Sequence, residues 1–461
     1  MSKQFPAPIK FSKLLGPSFI ILALGLGSGE VILWPYLSAN FGLGIAWGAV
    51  LGITCQYFIN MEIERYALVK GESVFVGMNK LWRLAPLWFI ASTFIGFGLP
   101  GIIAASAQVF SFVFGITDFK WVAIIFLILI GLILSIGKTV YAMMEHITKI
   151  IIILGIPFIL VLTFIIARGV DWLALGQGIA GIGDGFLFWP SGMSLAVFLG
   201  AFAYAGAGGN LNLTQSIYIR EKGYGMGYHS QKIAGLFRDI REHQTVKLTG
   251  EDFKIDATST ARFRAWWRKV SIEHLIVFWF LGALAMCLLM LLAYSTTFGN
   301  PTNAQGILFV INEGLAIGGL LAPWIGMLFL FIVSVMLFQT QLGIMDSTSR
   351  IMAENLALKK LGGNQNGKIN LSKIYFGFIW AQIAFGVILF LFNIYEPQFL
   401  IILGAVINAF SMVVHIALTN WLNHKVLPKE FQARLWRKII MLLIFFTFLF
   451  FCGLTVWDKI I

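Results

Sequence analysis

The chain has 461 residues, of which 59% are hydrophobic and only 12% are charged, about half the charge of an ordinary soluble domain. This composition excludes a water-soluble globular protein and predicts a lipid bilayer as solvent, for which the 43 Phe and 15 Trp suit lipid-facing and interfacial surfaces. The net charge of +12 follows a topological pattern, so we do not expect a nucleic acid partner.

Eleven apolar segments follow one another along the chain, each near or above the roughly 20 residues that a helix needs to cross the hydrocarbon core. We number them spans 1 to 11. They are 14–38, 43–66, 86–114, 119–138, 146–168, 192–219, 272–297, 317–345, 374–394, 397–422 and 438–457. The sequence therefore predicts an all-α polytopic membrane protein with about eleven transmembrane helices.

Basic residues gather at the N-terminus and in the even-numbered connections. The longest connection, 220–271, has eleven Lys and Arg, whereas 295–319 has none. The positive-inside rule then predicts a plasma (inner) membrane protein with a cytoplasmic N-terminus and an external C-terminus. We expect part of 220–271, with Trp266 and Trp267, on the inner membrane surface, and a flexible turn at 361–368.

Span 1 is interrupted in its middle by Gly25, Gly27, Ser28 and Gly29, followed at once by Glu30. Each glycine weakens a helix by up to about 1 kcal/mol relative to alanine. Small residues also permit close helix packing, but packing does not require a neighbouring acid. An ionisable group inside a membrane is expensive, so Glu30 is the first candidate for an ion-binding or protonatable residue.

Span 6 is interrupted in the same way: Gly206, Gly208 and Gly209 precede Asn210, and amides and hydroxyls follow. Two broken spans, five apart, predict a 5+5 inverted repeat with discontinuous helices 1 and 6. The broken ends offer carbonyls to cations and N–H groups to anions. The expected organisation is a cytoplasmic 1–13, helices 1–5 in 14–168, an external connection 169–191, helices 6–10 in 192–422 with the cytoplasmic loop 220–271, a connection 423–437, and helix 11 with the C-terminus in 438–461.

The predicted site uses oxygen and amide groups. We expect substrate or ion binding by Gly27, Ser28, Glu30, Gly206, Gly208, Gly209, Asn210, Thr214, Gln339 and Thr340, with Glu30 and Asn210 as metal ligands. Asn212, Gln215 and Asn408 are expected nearby, and His415 is expected to be a packing residue. Asp346 and Arg350, four apart, predict either an ion pair at the membrane interface or part of a gate and ion path.

Glu62 and Glu64, at the end of span 2, are expected to be solvated or paired with Arg65. Glu30 is thus the one carboxylate that the sequence places near the membrane midplane.

At these residues the chain resembles the Nramp family of proton-coupled divalent-metal transporters, of the amino acid–polyamine–cation superfamily. Gly16 to Phe19 resemble the family's Gly-Pro-Ala-Phe entry to helix 1, and the resemblance continues through Arg65 to Gly71, Phe338 to Glu354 and Asn423 to Pro428. It implies a leucine-transporter-like fold and alternating access.

The departures from the Nramp pattern fall in the metal site. The family's Asp-Pro-Gly-Asn is here Gly27 to Glu30, and its Met-Pro-His-Asn is Ala207 to Asn210. Helix 3 has Phe97 to Gly101 where the family has acids. The metal-binding aspartate and the methionine sulfur, which selects soft transition metals, are both missing. We therefore do not expect the chain to share the family's manganese or iron specificity.

Three hypotheses for function remain open. The first is transport of a hard divalent cation such as magnesium, held partly hydrated, although one carboxylate does not neutralise it. The second is transport of bicarbonate or another small anion at the glycine-rich start of the second half of helix 6, with Glu30 binding a coupling sodium ion or proton. The third is a non-transporting receptor or scaffold. We expect no enzyme activity and no resident cofactor, and the sequence leaves the oligomeric state open.

Overall fold

The computed structural model describes residues 3–10, 14, 16–136, 140–231, 244–362 and 366–460. The first half forms nine helices and a π-helical segment, Ser28–Leu33. The helices are α1 (Pro17–Gly25), α2 (Trp34–Phe41), α3 (Ala46–Lys70), α4 (Val74–Leu81), α5 (Ala85–Gly98), α6 (Gly101–Val113), α7 (Phe119–Ile136), α8 (Val140–Ile166) and α9 (Gly169–Ile179). A short antiparallel hairpin of β1 (Ile182–Gly183) and β2 (Phe186–Leu187) follows.

The second half contains a second π-helical segment, Leu275–Phe280, and two further strands. In chain order its elements are α10 (Leu195–Ala203), α11 (Thr214–Lys222), β3 (Gln244–Lys247), α12 (Ala257–His274), α13 (Leu281–Thr297), α14 (Leu308–Leu320), α15 (Pro323–Leu361), β4 (Asn366–Ile369), α16 (Leu371–Leu391), α17 (Pro397–Val426) and α18 (Leu435–Ile460). Helix α15 packs against α5, α6, α14 and α16, and α17 packs against α10 and α18.

The described residues account for each predicted span. Nine helical stretches are long and apolar enough to cross a membrane, and the bent pair within α8 and α9, which meet at 118°, gives a tenth. Span 6 is the remaining one: α10 and α11 are each only nine residues long because the chain between them is unwound. The predicted all-α polytopic fold with breaks in spans 1 and 6 is confirmed, whereas the domain boundaries given above stay a prediction.

Two spans differ in detail from the prediction. Span 3 is not one helix, because α5 ends at Gly98 and α6 begins at Gly101. Pro100 lies between them; it lacks a backbone N–H and restricts Leu99 before it. Span 8 begins at Pro323 rather than at 317, since 308–320 form the separate helix α14.

The loop 220–271 is more structured than predicted. Helix α12 begins after Asp256, whose carboxylate accepts a hydrogen bond from the Ser259 amide at 2.8 Å, a typical N-cap. The indole of Trp266 is buried and donates to the Pro6 carbonyl at 3.1 Å. The expectation that Trp266 lies on the membrane surface is therefore wrong, because the N-terminal segment covers it.

The flexible turn expected at 361–368 is also wrong for the residues of this range that the structure describes. Residues 363–365 lie outside the described residues, but Asn366–Ile369 form strand β4, which pairs antiparallel with β3. The pairing joins the connection after span 6 to the connection after span 8. Of the predicted cytoplasmic N-terminus 1–13, residues 3–10 are described, and Phe5 is fully buried there.

Candidate substrate site at the two helix breaks

The break in span 1 separates α1 from the π-helical segment. Helix α1 ends at Gly25, and the chain turns through Leu26 and Gly27, whose amide donates to the Gly25 carbonyl at 2.5 Å. The π-helical segment then begins at Ser28 and contains Glu30, which is fully buried. Single π-helical turns inside α-helices are frequently found at functional sites.

The break in span 6 depends on three glycines. The φ angles of Gly206, Gly208 and Gly209 are +114°, +68° and +51°. Residues other than glycine rarely adopt such positive φ angles. A short 3-10 segment, Gly209–Leu213, follows and leads into α11 at Thr214. These positions are therefore glycine because the unwound backbone requires it.

The two breaks touch one another. A Cβ atom on Gly29 would lie 1.8 Å from the Tyr204 carbonyl oxygen, and one on Gly25 would lie 2.7 Å from both Glu30 Oε1 and the carbonyl carbon of Gly206. Only glycine allows the backbones to come this close. Glu30 consequently lies at the crossing of the two unwound segments.

Both carboxylate oxygens of Glu30 are buried and have no hydrogen-bond partner within the described part of the chain. The backbone amides of Glu30 and Gly206 lie near the carboxylate, but neither makes a hydrogen bond of good geometry with it. An isolated buried carboxylate is costly unless it carries a proton or lies next to a cation. The position therefore suits a residue that binds a positive species.

Helix α15 closes one side of the span 1 break. The Thr340 hydroxyl lies 3.3 Å from the Ala23 carbonyl and 3.2 Å from the Leu26 carbonyl. A Cβ on Gly27 would lie 2.4 Å from the Thr340 methyl group, so Gly27 and Thr340 are brought together as predicted. Ser28 and Gln339 are buried beside them.

Asn210 faces helix α5. Its side-chain amide donates to Ser92 Oγ at 2.8 Å and Thr93 Oγ1 at 3.0 Å. Its Oδ1 has no partner among the residues described and is the atom left for a ligand. These bonds tie the span 6 break to span 3, and the role of Asn210 as a metal ligand stays a prediction.

Asn408 of α17 covers the other side of the span 6 break. Its amide donates to the Tyr204 hydroxyl at 2.8 Å and to the Gly96 carbonyl at 2.9 Å. A Cβ on Gly209 would lie 2.3 Å from its Oδ1. The Thr214 hydroxyl, in contrast, donates to the Leu211 carbonyl at 2.5 Å, so it stabilises the start of α11.

Asp346 and Arg350 form the predicted ion pair, but it is buried. Arg350 Nε lies 2.9 Å from both Asp346 oxygens, and the Tyr375 hydroxyl donates to Asp346 Oδ1 at 2.5 Å. The pair therefore joins α15 to α16 inside the protein and does not lie at an exposed interface. Along the axis of α15, Asp346 lies about 9 Å from Thr340 and is thus separate from the breaks. The assignment of Asp346 and Arg350 to a gate and ion path stays a prediction.

The sequence prediction for Glu64 is wrong. Its side chain is 1% exposed, and its Oε1 accepts a hydrogen bond from Gln215 Nε2 at 2.5 Å. Arg65 instead binds Glu62 at 2.7 Å, and Arg437 binds Glu62 at 2.6 Å. Glu62 is thus paired as predicted, whereas Glu64 is a buried carboxylate that is neither solvated nor paired with Arg65.

A buried ion pair joins the second half of span 6 to span 8. Arg220 Nη1 donates to Glu354 Oε1 at 3.0 Å, and the Ser73 hydroxyl donates to the same oxygen at 2.5 Å. The two charged side chains are 2% and 5% exposed. Arg220, predicted as the first residue of a solvated loop, therefore belongs to the core.

No family model and no curated protein matches this sequence. Solved structures do match. A mutant of a manganese transporter from Eremococcus coleocola has a TM-score of 0.71 at 12% identity, covering 99% of this chain and 89% of that chain. The same transporter in complex with an aromatic bis-isothiourea substituted compound has a TM-score of 0.71 at 13% identity and the same coverage.

These matches show the fold. The chain is a multi-pass membrane protein with the all-α architecture of that manganese transporter. The resemblance to the Nramp family, predicted from the residues, is confirmed at the level of the fold.

Proposed function

We propose that this chain is an Nramp-related secondary transporter that works by alternating access and binds its substrate where the breaks of spans 1 and 6 cross. The observation that carries the proposal is Glu30, fully buried at this crossing, with neither oxygen hydrogen-bonded to a described residue. The shared fold with a manganese transporter supports it. A membrane scaffold has no need of a bare carboxylate between two unwound helices.

The preferred substrate class is a hard divalent cation, with magnesium as the example. The groups at the breaks are the Glu30 carboxylate, the Thr340 hydroxyl with two carbonyls beside it, and the Asn210 amide oxygen. Such oxygen ligands suit magnesium. Across the described ranges, no group of three or more His, Cys, Asp or Glu is arranged to hold a metal. A cation that keeps several waters fits this site better than one that sheds them all.

The second candidate is a small anion such as bicarbonate, since glycine-rich turns can expose N–H groups. Two observations weigh against it. The Gly208 amide already donates to Gln56 Oε1 at 3.0 Å, and the Glu30 carboxylate lies beside Gly206. An anion here would meet a negative charge and find fewer free donors, so the cation is preferred.

Purified protein in liposomes tests the substrate. We expect saturable uptake of magnesium, measured with an internal magnesium-sensitive dye, and we expect Glu30→Gln to abolish it because the substitution removes the charge but keeps the shape. Manganese and bicarbonate are tested in parallel, each with and without sodium and pH gradients. The matched control is Glu313→Gln, which neutralises another buried carboxylate, on α14, and should transport normally.

Saturable manganese uptake would contradict the hard-cation assignment. Bicarbonate uptake driven by sodium or protons would favour the second candidate. Normal magnesium uptake by Glu30→Gln would remove Glu30 from the mechanism, and the absence of any flux from folded protein would favour a receptor or scaffold.

A further inference from the structure

Away from the breaks, side chains of four elements form a second buried polar cluster. Its members are Ser18 of α1, Glu64 of α3, Gln215 of α11, and Glu273 and His274 at the end of α12. All five are at most 3% exposed. We call them the carboxylate–histidine cluster.

The members of the cluster form one continuous chain of contacts. Glu64 Oε1 accepts from Gln215 at 2.5 Å and lies 3.4 Å from His274 Nδ1. The Ser18 hydroxyl lies 2.9 Å from the same His274 nitrogen and donates to Glu273 Oε2 at 2.5 Å. Two carboxylates and an imidazole are thus linked through one hydroxyl, with spans 1, 2, 6 and 7 all contributing.

The charge balance of the cluster requires a proton. The other ionisable groups that face it are Tyr57, whose ring stacks on His274, and Arg437, which acts on Glu64 from a distance. Arg437 itself binds Glu62 at 2.6 Å, a carboxylate that it shares with Arg65, so its ion pair lies outside the cluster. Two buried carboxylates without a Lys or Arg in contact do not both ionise beside a neutral imidazole, so the cluster of Glu64, Glu273 and His274 holds a proton as a whole.

The cluster also has unused acceptor atoms. Glu64 Oε2, Glu273 Oε1 and His274 Nε2 are buried and have no hydrogen-bond partner in the part of the chain that the structure describes. Additional protons can therefore bind without displacing an existing contact.

A row of polar side chains joins the cluster to the span 6 break. Gln56, Asn60 and Glu64 are spaced four apart on α3 and share one face. At one end Gln56 bonds the Ala203 carbonyl and the Gly208 amide; at the other, Glu64 bonds Gln215. Asn60, between them, is fully buried, and neither of its amide atoms is hydrogen-bonded to a described residue.

A second link runs through span 7. Phe278 follows His274 by one helical turn, and its ring stacks on that imidazole with centroids 4.7 Å apart. A Cβ on Gly206 would lie 2.8 Å from the Phe278 ring. The His274 imidazole, the Phe278 ring and the span 6 break are thus joined by direct packing.

We propose that the carboxylate–histidine cluster is the proton-binding site that couples transport to a pH gradient, an inference that rests on the proposed transport function. A proton from solution forms an O–H bond with a carboxylate oxygen of Glu64 or Glu273, and hydronium loses the same proton. Glu30, one polar row away, remains available for the substrate.

Infrared difference spectroscopy tests proton binding without any substrate. Purified protein is titrated from acid to alkaline pH, and the C=O band of protonated carboxyl groups is followed. We expect a pH-dependent component that is lost or shifted in Glu64→Gln and in Glu273→Gln and kept in the control Glu313→Gln. A band unaffected by both cluster substitutions, or one that does not respond to pH, would overturn the proposal.

Flux measurements test the coupling. With magnesium as the probe, an internal pH dye should report proton movement with the wild-type protein. Glu64→Gln and Glu273→Gln should lose pH-driven magnesium accumulation yet keep downhill magnesium flux, whereas Glu30→Gln should lose both. Retained pH-driven accumulation in both cluster variants would refute the coupling role. If no variant or wild-type protein moves magnesium, the proposed substrate fails, and the infrared titration still decides the proton site.

Discussion

Glu62 and Glu64 show that burial and the direction in which a side chain points determine which residues it contacts. They are two positions apart on α3, so their side chains point to nearly opposite sides of the helix. Glu62 meets Arg65 and Arg437, while Glu64 meets Gln215 and His274. Arg65 follows Glu64 directly in sequence, but neighbours one apart do not face each other on a helix. Pairing Glu64 with Arg65 from sequence adjacency was therefore wrong.

The part of the site that could be predicted from the sequence is the part that local sequence makes unusual. Gly29 and Glu30 interrupt an apolar span, and Gly206 to Gly209 interrupt another, so both breaks were visible. Glu273 and His274 lie at the very start of span 7, where a charged residue is ordinary because a span end meets the membrane surface, and their contacts with Ser18 cross more than 250 positions of chain. Such contacts depend on the tertiary fold, which one sequence does not reveal.

At the residue scale, Gly29→Ala tests the contact between the breaks. The new Cβ would lie 1.8 Å from the Tyr204 carbonyl oxygen, so the two segments must separate. We expect a lower melting temperature, measured by fluorescence-detected size-exclusion chromatography, and reduced uptake. The control is Gly377→Ala on α16, where no atom lies within 4 Å of the added Cβ. Equal melting temperatures for the two variants would show that the breaks do not touch.

At the scale of elements, hydropathy predicts long apolar helices well and other helices poorly. Helix α12 is polar, so hydropathy predicts a loop there. The helix becomes apolar only where it continues into span 7. Helix α14 is apolar but has 13 residues, so its end was merged with the start of span 8. Length and composition identify a membrane-crossing helix, but they do not identify a helix that stops short.

The ion pair between Arg220 and Glu354 fixes α11 to α15. Removing one partner of a buried pair costs about 3–5 kcal/mol, so Arg220→Gln should lower the melting temperature strongly. The double variant R220Q/E354Q should recover part of the loss, because Glu354 no longer lacks its partner. Recovery should stay incomplete, since Glu221 also lies 3.6 Å from Arg220 and loses that contact. Thermal unfolding of the single and double variants measures the coupling.

A surface pair provides the comparison. Lys247 and Glu251 are 38% and 33% exposed, and exposed pairs contribute about 0–1 kcal/mol. Lys247→Gln should therefore unfold close to the wild-type temperature. If Arg220→Gln behaved like Lys247→Gln, the buried pair would not hold the two helices together.

At the scale of the whole molecule, the architecture was predictable because a membrane limits the possible structures. Backbone groups in lipid must be satisfied within helices, so counting apolar spans and locating two interruptions gave the fold. The same fold is found in a manganese transporter at only 12% identity, which shows how little of it depends on particular residues. The orientation in the membrane follows from charge alone and remains a prediction.

Cysteine labelling tests the orientation. Tyr228, after span 6, and Leu187, before it, are 70% and 69% exposed, so they are matched reporters. After replacement of Cys55, Cys287 and Cys452 by serine, an impermeant thiol reagent outside intact cells should label Leu187→Cys and leave Tyr228→Cys unlabelled. Inside-out vesicles should reverse the result. Labelling of both positions from one side would disprove the predicted topology.

The π-helical segments Ser28–Leu33 and Leu275–Phe280 have an evolutionary consequence. A π-helical turn accommodates one more residue than an α-helical turn, and each residue turns a helix by about 100°. Loss of a single codon in the first segment would restore regular winding and swing Glu30 toward a different neighbour. Under the proposed transport function, one small insertion or deletion here would therefore change which ion is bound, without any substitution at the residues of the two breaks.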